Sequence, residues 1–151
     1  MEVLRIKPLS NALVDVDAFA EYREQAKKFG TRKKIVLEFP EWVKMRTCRG
    51  RGWRSNGRSR EVTVETGYIW DGPTGAFDTP PLRLSSLVHD IICELTANGY
   101  VVNGYFVRHW IYWKIARYQG AGLIRPTLHL GILILANWLY AILSRIGGKN
   151  G

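Results

Sequence analysis

A chain of 151 residues with 46% hydrophobic and 23% charged residues is long enough for one core of ordinary size, and its composition excludes a disordered chain. Its two cysteines, Cys48 and Cys93, exclude a disulfide framework, and the lack of a CxxC pair argues against a structural zinc knuckle. A formal charge of +9 favours something anionic as partner: nucleic acid, lipid headgroups, a cell-wall polymer or an acidic protein.

In chain order, the N-terminal stretch MEVLRIKPLSNALVDVDAF has no apolar run of signal-peptide length, so synthesis in a reducing cytoplasm is expected. Residues 14–29 predict a helix. Asp15 or Asp17 would cap it, Phe19, Tyr22 and Ala26 share one face, and Gly30 would end it. Residues 34–39, KIVLEF, predict a strand that stops at Pro40, and residues 42–47 alternate as a second strand would. Residues 46–60 read instead as an exposed loop. Arg49, Arg51, Arg54 and Arg58 stand among Gly, Ser and Asn, with Trp53 in the middle. Arginines around one aromatic suit a phosphate backbone and a stacked base, while a solvated hairpin tip has the same composition. Residues 60–66, REVTVET, alternate strictly and predict a half-buried strand.

Residues 81–96 predict a helix buried along Leu84, Leu87, Val88, Ile91 and Leu95, capped by Asp78 or Thr79 and ended by Asn98-Gly99. A second, aromatic-rich helix is expected over 105–119, broken at Gly120-Ala121-Gly122. Residues 126–144 carry no charge and are flanked by Arg125 and Arg145. A run of this length sits at the lower edge of a membrane span, and it equally suits a helix buried in a core or interface. Leu128, Ile132, Leu135, Trp138 and Leu139 are the contact residues expected there.

The densest set of reactive groups lies between residues 67 and 94: Asp71, Asp78, His89, Asp90 and Cys93. Three readings fit them. His89 is a general base oriented by Asp71 or Asp78; or His89, Asp90 and the turn aspartates hold a divalent metal that activates water; or the polar groups tie the turn to the helix. His109 and His129 are weaker candidates, since neither has a partner at zinc-motif spacing. No Walker loop, GxGxxG or GxSxG occurs in the chain.

Taken in order, Gly67-Tyr68, Asp71-Gly72, the Gly/Pro stretch to Pro81 and His89-Asp90 resemble a family of small phage and prophage proteins, the one catalogued as domain of unknown function 1353. The resemblance covers about residues 62–141. The chain departs from the family pattern at Ile92-Cys93, where an aromatic is usual, and at Gly104, Tyr105 and Arg108, where the next helix usually carries an acidic residue. The resemblance implies phage origin and no particular activity.

The expected fold is α+β: a small antiparallel sheet followed by a three-helix C-terminal part, plus an N-terminal helix. Residues 1–33 would be a helical docking segment, 34–146 a single domain and 147–151 a tail. The expected function is a virion-associated structural or assembly protein, docking through its basic loop and apolar C-terminal helix. Its partners would be other phage virion proteins or copies of itself, with nucleic acid or an anionic membrane surface as further candidates. It would reside in the host cytoplasm during synthesis and then in the virion. The alternative is a small His/Asp-dependent hydrolase, metal-assisted or not, acting on cell envelope or lipid.

Overall fold

Strict alternation in the first half of the chain builds one face of a sheet. A computed structural model describes residues 2–72, 80–97 and 107–147. Five strands lie in the order β1 (Leu4–Ile6), β4 (Ile35–Glu38), β7 (Glu61–Val64), β6 (Trp53–Asn56) and β5 (Cys48–Gly50). β1 runs parallel to β4 and the other pairs are antiparallel. Side chains alternate across a strand, so the row Ile35, Val64, Trp53 and the row Leu37, Val62, Ser55 face inward together. A second sheet, β2 (Ala20–Arg23), β3 (Lys28–Thr31) and β8 (Ile69–Trp70), is antiparallel. Thr31 couples the sheets: its hydroxyl donates to the Glu65 carbonyl at 2.8 Å and accepts from the Tyr68 N–H at 3.0 Å.

Three helices follow, as expected: α1 (Pro80–Ala97), α2 (Val107–Tyr118) and α3 (Ile124–Gly147). The chain is therefore α+β with a three-helix C-terminal part. α1 lays Leu84, Leu87, Val88, Ile91 and Leu95 on the inner face of the five-stranded sheet, within one continuous core. α2 packs on α1 and buries His109, Ile111, Tyr112, Ile115 and Ala116. α3 packs on α2 in the opposite direction, since Trp113 bonds Thr127, Tyr112 meets His129 and Arg108 reaches Asn137.

Four expectations are corrected. No helix forms over residues 14–29. Asp15 caps a single 3-10 turn, Val16–Ala18, and β2 and β3 follow as a hairpin whose turn holds Lys27 at φ +52°. A helix would have buried little beyond Phe19, whereas the hairpin stacks Phe29 on Trp70, with ring centroids 5.6 Å apart. The boundary at residue 33 also fails, because the N-terminal segment supplies strands to both sheets and puts Ile6, Phe19 and Phe29 in the core. Residues 42–47 are not a strand: the Val43 N–H turns back to the Pro40 carbonyl at 3.0 Å, and Val43 points into the core. Residues 46–60 are not a loop. They hold the β5–β6 hairpin, turned at Gly52 with φ +83°, and Trp53 is 2% exposed. Arginine and glycine content hid an alternation in which Trp53 and Ser55 face in while Arg54 and Asn56 face out. The expected caps Asp78, Thr79 and Asn98-Gly99 lie outside the described residues.

Candidate functional site

α1 carries His89 and Asp90 at adjacent positions, so their side chains diverge by about 100° and meet different neighbours. Asp90 turns toward the bend at residue 71, whose backbone N–H donates to its carboxylate. Burial, and the Asp71 charge beside it, push the Asp90 carboxyl up to about 7. Asp71 itself is exposed and pairs with Lys28 at 3.1 Å. The bend and α1 therefore do fold together, through Asp90 and not through His89.

His89 faces the helical side. Its Nε2 lies 3.1 Å from His109 Nδ1 on α2, and Cys93 Sγ lies 3.8 Å from its ring nitrogens. On α3, Asn137 Nδ2 donates to His109 Nε2 at 3.1 Å, and Arg108 donates to Asn137 Oδ1 at 3.0 Å. An acceptor at His109 Nε2 requires its proton on Nδ1, pointing at His89 Nε2, which leaves the His89 proton on Nδ1, beside Cys93. One chain of hydrogen bonds thus runs from α3 through α2 to α1, with every imidazole neutral. Burial drives this: it lowers His89 to about 3, helped by His109 and Arg108, and His109 to about 4, helped by Arg108. His129 is lowered by burial too, and its Nδ1 shares a hydrogen bond with the Tyr112 hydroxyl at 2.6 Å.

Gly72, Ser86, His89, Asp90, Tyr112 and His129 surround a cavity of about 20 Å³, room for roughly one water and not for a substrate. Among the described residues no carboxylate hydrogen-bonds His89, and no group of three or more His, Cys, Asp and Glu is placed to hold a metal ion. Asp78 lies outside the described residues. The arrangement suits the third reading best: polar groups joining three helices and a bend.

Of the weaker candidates, His109 belongs to this network and His129 stands beside it through Tyr112, whose ring meets that of His89; sequence reasoning missed Arg108, Tyr112 and Asn137. A signal was present. His129 and Asn137 stand eight residues apart on one face of an uncharged run, and buried polar groups require partners. The remaining candidates are at the surface. Arg49, Arg51, Arg54 and Arg58 are exposed on and beside the β5–β6 hairpin, and Leu128, Ile132, Leu135, Trp138 and Leu139 are 46–58% exposed along α3. No family model, curated protein or solved structure matches this chain.

Proposed function

We propose that this protein is a non-enzymatic assembly component, of the phage virion kind its motifs resemble, which docks by pairing α3 with α3 of a second copy. The observation that carries this reading is the inverted polarity of α3. His129 and Asn137 turn inward to α2, while large apolar side chains face out. A helix on the surface of a water-soluble monomer has the opposite order. Eight large apolar residues of α3 between Leu128 and Ile146 are 46–75% exposed. At about 200 Å² for a whole large side chain, they present on the order of 1,000 Å². An ordinary monomer tolerates a patch of about 300–600 Å², and one side of a stable interface needs about 800 Å².

The pattern of that surface favours a helix as occupant. Exposed Leu128, Ile132, Leu135, Leu139 and Ile146, with half-buried Ile142, recur at alternating steps of four and three, the 3.5-residue period of a helix–helix seam. A bilayer is the competing occupant, because residues 126–144 extend about 28 Å against a hydrocarbon core of about 30 Å. Arg108 weighs against it. It bonds Asn137 near the middle of the run, so a crossing α3 would draw α2 into the hydrocarbon. A charge there costs at least about 3 kcal/mol.

Light scattering on the purified chain tests the reading. A dimer or larger oligomer is expected, and Leu135→Glu with Leu139→Glu should return a folded monomer. A wild-type monomer that floats with neutral vesicles would assign α3 to a bilayer, and one that floats with none would remove both occupants. A His/Asp hydrolase has less support, since among the described residues no carboxylate hydrogen-bonds His89 and the cavity beside it, about 20 Å³, has no room for a substrate.

A further inference from the structure

The outer face of the five-stranded sheet carries two like-charged pairs, treated differently. Glu38 and Glu61 stand opposite each other on β4 and β7, and Arg5 clamps both, at 2.8 and 3.0 Å. Arg49 and Arg54 stand opposite each other on β5 and β6, and among the described residues no carboxylate joins them. Like charges directly across a strand pair repel. The nearby acids are already engaged: Glu65 by Lys34, and Glu41 by Arg60. Arg51, in the turn before β6, and Arg58, just past its end, are exposed, and among the described residues neither has an ion pair.

We infer that this face binds the phosphate backbone of a nucleic-acid duplex, with one phosphate shared by Arg49 and Arg54 as Arg5 is shared by Glu38 and Glu61. Two observations favour nucleic acid over the lipid headgroups of a membrane around α3. The sheet's inner face is covered by α1, and α3 belongs to that helical side, so the arginine face looks the other way. Four exposed arginines on and beside one hairpin also match a polyanion better than a single small anion. Trp53 points into the core, with its indole N–H donating to Glu94, so its ring is not offered for base stacking. Binding is therefore through the backbone and indifferent to base sequence, and a duplex is preferred to a single strand that needs stacking. The inference does not depend on what α3 meets.

Fluorescence anisotropy of the full chain with a duplex of about 20 base pairs, titrated between about 50 and 200 mM salt, tests it. The expected slope of log K against log salt is about −4, for four or five phosphate contacts. Arg49→Glu with Arg54→Glu should weaken binding at least about tenfold, and Arg49→Gln with Arg54→Gln, which adds no repulsion, should reduce the slope by about two. The control is Lys7→Glu with Arg117→Glu, the same charge change at the far sheet edge and on α2; it should leave affinity within about twofold. Equal losses in control and test variants would overturn the inference, because net charge alone would then explain binding. So would unchanged binding in the arginine variants, or capture by phosphatidylglycerol vesicles through these arginines more tightly than by the duplex.

Discussion

Asn137 is one side chain on which three helices depend. It donates to His109 Nε2 and to the Leu133 carbonyl, and accepts from Arg108. Asn137→Leu should lower stability by about 1–3 kcal/mol in urea unfolding, since it strips partners from groups already desolvated. Glu94 plays the same part between α1 and the sheet, accepting from the Trp53 indole and the Tyr68 hydroxyl. Glu94→Leu should cost more than Glu94→Gln, because glutamine keeps one acceptor oxygen. The titrating groups give a signed pH dependence. His89 and His109 are held neutral, at about 3 and 4 in the fold against 6.5 unfolded. The unfolded chain therefore binds more protons in between, and their contribution, complete above about 6.5, is lost as pH falls. Asp90 works in the opposite sense, at about 7 folded against 3.8 unfolded, so its contribution is complete below 3.8 and is lost as pH rises through 7. Two histidines against one carboxyl should make the protein less stable at pH 4.5 than at 7. Asp90→Asn should steepen that loss while stabilising the protein at pH 8. Denaturation midpoints measured across this range would show a flat or reversed trend if the network were not buried and neutral.

At the scale of elements, the β5–β6 hairpin depends on two glycines. Gly52 turns it at φ +83°, and a side chain on Gly50 would meet the Trp53 ring at 2.3 Å. Gly50→Ala should destabilise by about 1–3 kcal/mol through overpacking, seen as an earlier urea midpoint. This hairpin also marks where the sequence misled. Its arginines and glycines read as a loop, and only the register against β7 reveals that alternate residues are buried. α1 and β7 were legible, because five apolar residues at helical steps and a strict alternation each admit one periodicity. Residues 14–29 were not. Phe19, Tyr22 and Ala26 fit a helical face, and the competing hairpin gains its energy from β8, some 40 residues away.

Across the whole molecule, an arginine face on one side of the sheet and an apolar helix on the other make the two proposed docking surfaces look in different directions. They should respond oppositely to salt. Raising salt weakens phosphate contacts and leaves apolar association intact or stronger, so duplex binding should fade between about 50 and 200 mM while the oligomer persists.

By itself the sequence determined the α+β class, the buried stripe of α1 and the uncharged run of α3, because local periodicity and charge are written in consecutive residues. Only the tertiary structure decided that His89 and His109 meet, that Trp53 turns inward and that α3 stays uncovered. Each of those depends on which distant surface arrives opposite, and periodicity within a segment says nothing about that.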